Sequence, residues 1–236
     1  MKRLLLVNPL IHDFAAYDFW ALPLGLLNVA GWLAQSRVEL QLLDCLDPGS
    51  PWLPLSMRPK RRAFGQGKLA RTLVPKPPAL PFLNRRYSRY GLPPDAIRRA
   101  LVDHDRPDLV LVTSMMTYWY PGVAETIALL KERWAGVPVL LGGVYATLCT
   151  DHARAHSGAD WVAPGPLAQS AEVVLRALGI EPLDQAPWDP ETCLPSHGLL
   201  AGRGAAALLT SWGCPFACPY CGVRTLHPTP SQLSPE

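Results

Sequence analysis

The sequence predicts an α/β protein built on a doubly wound parallel sheet of five strands. Three observations carry that expectation. Short apolar runs recur through residues 1–180, segments of helical periodicity lie between them, and the runs are continuous rather than alternating, the pattern of strands covered on both faces.

The first strand is Arg3 to Asn8 (RLLLVN), stopped by Pro9. A helix is expected over Asp18 to Gln35, and Val38 to Asp44 (VELQLLD) makes the second strand, ended by Asp47, Pro48 and Gly49. Pro93-Pro94-Asp95 is a helix-start signal, followed by Ile97, Ala100, Leu101 and His104 at helical spacing. Asp108 to Thr113 is the third strand. Val123 to Trp134 is a helix with Ile127, Leu130 and Trp134 on one stripe, and Val137 to Leu141 is the fourth strand. A helix near Cys149 to His156, a fifth strand at Asp160 to Ala163 and a helix over Leu167 to Leu178, stopped by Gly179, complete the pattern. Right-handed crossovers then give the strand order 2-1-3-4-5 of a flavodoxin-like or Rossmann-like sheet.

Between Pro48 and Pro94 the texture changes, with ten prolines and stretches such as PKPPALPF that no regular helix or strand would hold. This 48–94 segment reads as a Pro-rich basic insertion. Arg58 to Arg106 carries thirteen of the 22 Lys and Arg residues against Asp95, Asp103 and Asp105 alone, so the rest of the chain is net acidic. A polyanion or partner contact is one reading of that cluster, and a solvated connector is the favoured one. Residues 181–204, rich in Pro, Gly and Asp, read as a linker between domains.

Composition excludes several classes. At 236 residues, 49% apolar and 17% charged, the chain describes a folded protein, and a net charge of +3 is too small to argue for nucleic acid. The start, MKRLLLVNPL, is interrupted by Asn8, Pro9, His12 and Asp13 before it becomes a signal-peptide core. Phe19 to Ala34 is apolar and uncharged but contains Pro23, Gly25 and Gly31 and falls short of the roughly 20 residues of a membrane span, so a packed helix is expected there. A cytoplasmic, reducing setting follows, with Cys45, Cys149 and Cys193 as small buried hydrophobes or incidental thiols.

Ligands of an open parallel sheet bind beyond the carboxyl ends of its strands, near the reversal of strand order. That rule selects Asn8 and Pro9, then Ser114, Met115 and Met116, then Gly142, Gly143 and Tyr145, and finally Pro164 and Gly165. Glycines let a bulky ligand approach the backbone, and the Ser114 hydroxyl suits a buried polar tail. A second candidate site lies downstream. Cys214, Cys218 and Cys221 in TSWGCPFACPYC follow a strand expected at Ala205 to Thr210, and three thiolates with no obvious fourth leave one metal position open. The competing reading is a Cys3His zinc site completed by His227.

The spacing of the cysteines, with Tyr220 before the last of them, resembles the cluster loop of the radical S-adenosylmethionine (radical SAM) enzymes. The resemblance implies a 4Fe-4S cluster on Cys214, Cys218 and Cys221, S-adenosylmethionine on the open iron, and Tyr220 against its adenine. The run TSMMTYWYPGV, continued by LLGGVYATL, resembles the cobalamin-binding domain found ahead of many radical SAM barrels. By that resemblance Ser114, Gly142 and Gly143 line the slot for the nucleotide tail of cobalamin, while Met115, Met116 and Tyr118 face the corrin. The Asp-x-His-x-x-Gly motif of other cobalamin domains is absent after the first strand, and His12 nearby lacks that context. A flavodoxin-like nucleotide or flavin binder is the alternative.

A radical SAM barrel needs on the order of 200 residues, and the stretch 205–236 offers 32. The expectation is therefore a truncated start of that domain. A fragment, one half of a split enzyme whose partner chain completes the barrel, and a remnant that keeps only cobalamin binding all remain open.

Overall fold

The computed structural model describes residues 1–179, 188–189, 193–200, 202 and 204–234. Five parallel strands form the central sheet: β1 (Lys2–Asn8), β2 (Val38–Asp44), β3 (Leu109–Val112), β4 (Val139–Leu141) and β5 (Trp161–Val162). They lie in the order β2-β1-β3-β4-β5, the expected 2-1-3-4-5. In register, Leu4 pairs with Leu40 and Leu109, and Val7 with Leu43 and Val112.

Alternation along each strand builds two apolar layers. Leu5, Val7, Val110, Val112 and Leu141 face one core, which is covered by Ile97 and Leu101 of α2 (Pro94–Asp103) and Ile127 and Leu130 of α3 (Tyr120–Arg133). Leu4, Leu6, Leu109, Leu111 and Leu140 face the other, under Leu26 and Trp32 of α1 (Leu24–Leu33) and Val174, Leu175 and Leu178 of a helix over Leu167–Leu178. Each such side chain, buried on both faces of one sheet, contributes on the order of 1.5–3 kcal/mol. Two further helices, α4 (Gly143–Leu148) and α5 (Thr150–His156), lie between β4 and β5, so the 167–178 helix is α6. Gly179 ends α6 in the left-handed conformation, as its position after the last apolar repeat predicts.

Several expectations change. The first helix starts at Leu24 instead of Asp18, and Phe19 and Trp20 are exposed, because Trp20 takes a positive φ of 61° and Pro23 precedes the first turn. Tyr17–Asp18 instead pairs with Gly67–Lys68, and Asp18 holds the Arg61 guanidinium. The Pro-rich insertion contributes short strands at Arg71–Leu73 and Ser88–Tyr90, which join Ile11–Asp13 in an antiparallel sheet. Its prolines fall outside those strands. Ala205 to Thr210, expected as the first strand of a barrel, is not a strand; Ser211–Trp212 pairs instead with Ser231–Gln232 in a two-stranded hairpin. The apolar run AAALL lacks a neighbouring strand, and Leu208 and Leu209 remain exposed.

Much of the expected linker, 181–204, lies outside the described residues, as does the boundary placed at 180–181. Its described part packs on α1. Cys193 is buried, the Ser196 amide donates to the Leu27 carbonyl at 3.1 Å, and a Cβ on Gly31 would stand 1.9 Å from the Leu194 carbonyl oxygen. Gly31 is thus the gap in the helix through which this segment docks. Among the described residues no helix is long and apolar enough to cross a membrane.

The insertion is fastened to the main sheet by charge. Arg89 of its third strand donates from Nε to Glu125 Oε2 at 2.9 Å and from Nη2 to Oε1 at 2.5 Å, while His12 Nε2 lies 2.8 Å from Oε2. Glu125 stands on α3, so one carboxylate joins the small sheet to the helix that covers the large one. Burial would raise its pKa, but hydrogen bonds from His12 and Arg89 and their charges leave it below the ordinary 4.5. The unfolded chain therefore takes up this proton first on acidification. The stabilisation is fully present above that ordinary value and is lost as pH falls through the depressed folded one. Glu125→Gln should flatten the acid limb of a stability against pH curve measured by urea unfolding, and an unchanged limb would count against the clamp.

Candidate functional site

The carboxyl ends of β3, β4 and β5 are held in register by two hydroxyls. Ser114 donates to the Gly142 carbonyl at 3.0 Å and accepts from the Tyr145 amide at 3.1 Å, and its own carbonyl accepts from the Val144 amide at 2.7 Å. Thr147 does the same one strand further on, donating to the Gly143 carbonyl and accepting from the Gly165 amide, both at 2.9 Å. Ser114 is nearly fully buried. Both hydroxyls are committed to the backbone.

The two glycines after β4 differ in what they do. Gly143 has φ 87°, and a Cβ there would stand 2.5 Å from the Ser114 carbonyl oxygen and 2.8 Å from its nitrogen. Gly142 is extended at φ −125°, and a Cβ there would meet only the Ala163 carbonyl, at 3.9 Å. Gly143 closes the turn, and Gly142 leaves room.

That room is part of a cavity of about 240 Å³ under the strand ends, between the sheet, α1 and α6. Gly142, Gly143 and Gly165 line it, with Leu111 and Leu140 from the strands, Val29 from α1 and Val174 from α6. Its wall is mostly apolar, yet the side chains of Asn28, Thr113, His227 and Trp188 on it form no hydrogen bond with any described residue. An apolar slot with a few unpaired polar groups is what a small-molecule site requires. Burial lowers the pKa of His227, which keeps its imidazole neutral at neutral pH.

The other expected contacts fall elsewhere. Ser114 and Met115 border a separate crevice of only about 10 Å³ at the β1/β3 reversal, with Asn8, Pro9 and Trp119. Met116 and Tyr118 are exposed. The Tyr145 ring is buried away from the slot; its phenol lies 2.7 Å from His152 Nδ1, and burial first, then Cys149 and Tyr120, push its pKa up to about 12. His12 is occupied by Glu125. Cys45 and Cys193 are buried free thiols and Cys149 is half-buried.

The cysteine loop is not assembled as a metal centre. Cys214 is half-buried, Cys218 and Cys221 are exposed, and Tyr220 is 89% exposed. Among the described residues no three His, Cys, Asp or Glu side chains converge as metal ligands, so neither the cluster nor the Cys3His arrangement with His227 is formed. The hairpin at Ser211–Trp212 and the short helix at Val223–Leu226 flank the loop on either side.

Sequence reasoning missed Thr147, Asn28, Gly25, Trp188 and Trp212. Asn28 carried a signal, as a lone amide in an otherwise apolar helix; the tryptophans carried none, since they reach the slot only through the tail's path. No curated protein matches the chain significantly. A family model described as B12 binding domain matches residues 86–175, the span that includes Ser114, both glycines, Thr147 and Gly165. The chain therefore carries a B12-binding domain built on β3, β4 and β5 and the helices that flank them.

Proposed function

We propose that this chain binds a corrinoid at the carboxyl ends of β3 to β5, with the nucleotide tail in the slot and the macrocycle outside it. The observation that carries this reading is coincidence in space: the slot opens on Gly142, Gly143 and Gly165, inside the residues that match the B12-binding domain. At about 240 Å³ it is smaller than the roughly 300–1,000 Å³ of sites that take a whole drug-sized ligand, so it suits one ring system of a larger molecule. The residues present fit that group. Gly142 and Gly25 leave open volume where any side chain would project, and Asn28, Thr113 and His227 offer unpaired donors and acceptors. When bound, cobalamin supplies organometallic cobalt chemistry. The protein's part is to hold the tail, to exclude water from it, and to present the macrocycle above Met115, Met116 and Tyr118.

A radical SAM role rests on the cysteine spacing alone. As they stand, Cys214, Cys218 and Cys221 do not fit a 4Fe-4S cluster with S-adenosylmethionine, and no step is derived through one. The corrinoid reading does not need them. A partner chain that completes a barrel belongs to the radical SAM reading in the same way.

Incubation with cobalamin followed by gel filtration should leave visible corrinoid absorbance on the protein peak; flavin retained in its place would favour the nucleotide-binding alternative. The two glycines separate structure from binding. Gly142→Val should unfold like the parent yet bind cobalamin at least about tenfold more weakly, a loss of about 1.4 kcal/mol, because its side chain enters the slot. Gly143→Ala should instead lose on the order of 2–3 kcal/mol of stability in urea, from a positive φ and the approach of Ser114. Equal binding by Gly142→Val would place the ligand elsewhere. Cys218→Ala should retain cobalamin as the parent does, and a loss of binding in that variant would tie the thiols to the corrinoid site.

A further inference from the structure

The slot is not closed by the B12-binding domain. Its outer wall comes from residues beyond 175: Trp188, Trp212, Leu226 and His227. These residues are held there by several independent ties. A Cβ on Gly222 would stand 2.9 Å from the Leu148 side chain at the end of α4, the Ser211–Trp212 strand is clamped by its partner Ser231–Gln232, and Trp188 meets Trp212 edge to face at 6.3 Å and 88°. The roof is also chemically unfinished. The Trp188 indole N–H is buried with no acceptor among the described residues, and the His227 ring makes no hydrogen bond to them.

We infer that the cysteine-bearing tail is part of the ligand site, and that Trp212 and Trp188 with His227 form an aromatic roof selecting a flat, nitrogen-containing heterocycle, the base of a corrinoid's nucleotide tail. The inference rests on the corrinoid reading above and adds residues to it. Two indoles at right angles over an apolar slot favour a planar ring that stacks on one and meets the edge of the other. A neutral imidazole and the Asn28 amide provide donor and acceptor for its polar rim. A ligand without the base has nothing to place there.

The test compares cobalamin with cobinamide, which keeps the corrin and lacks the base, on the full chain by isothermal titration. The parent should bind cobalamin at least tenfold more tightly than cobinamide. Trp212→Ala and His227→Ala should each lower cobalamin affinity about tenfold and leave cobinamide affinity unchanged, with Trp212→Phe recovering most of the loss. His227→Ala alters a half-buried tail residue, so it keeps the test decisive if Trp212→Ala fails to fold. Cobalamin bound equally well by both variants would overturn the inference, as would a parent that does not distinguish the two corrinoids, and in either case the corrinoid reading would stand. If neither corrinoid is retained, the corrinoid reading itself falls.

Discussion

The site depends on one short set of hydrogen bonds. Ser114, after β3, takes the Gly142 carbonyl and the Tyr145 amide that follow β4, and Thr147, bonded back to Gly143 in its own helix α4, takes the Gly165 amide that follows β5, so together they lock the ends of three parallel strands into one rim. A parallel sheet ends in carbonyls and amides that have no ladder partner, and buried groups of that kind must be satisfied. Here two side chains satisfy them. Because they do, Gly143 can turn back against Ser114, α4 can start at once, and the volume beside Gly142 stays open.

Charge in this molecule is arranged to fold the chain on itself. Within the basic stretch from Arg58 to Arg106, three arginines find acids supplied from other elements: Arg61 with Asp18, Arg89 with Glu125, and Arg98 with Glu132 at 3.1 Å. These pairs tie the insertion and α2 to β1's outgoing loop and to α3. Half-buried carboxylate pairs with bidentate arginine are the stronger kind, and the exposed Arg98 pair adds little. The insertion is thus a small antiparallel layer braced by ion pairs.

The tail brings two chemistries to one place. Trp212 precedes the cysteine loop and His227 follows it, and both line the slot, whereas Cys214, Cys218 and Cys221 are not among its lining residues.

The architecture was legible in the residues. Continuous apolar runs at Leu4–Val7, Leu109–Val112 and Val139–Leu141, broken by Pro, Gly and Asn, determine a sheet covered on both faces, and right-handed crossovers then leave one strand order. The glycines after β4 were legible as well, since a Gly pair at a strand end marks either a turn or a close approach. Which glycine does which was decided only by the fold, because φ at Gly143 and the position of Ser114 are set by pairing between distant strands. The same reason explains what local pattern did not decide. Ala205 to Thr210 has a strand's composition but no strand to pair with, the cysteine spacing fixes separation along the chain but not convergence in space, and the tryptophan roof exists only because the tail returns to α1 and α4. Local pattern determines what each segment can become; the partner it meets, often a hundred residues away, decides what it is.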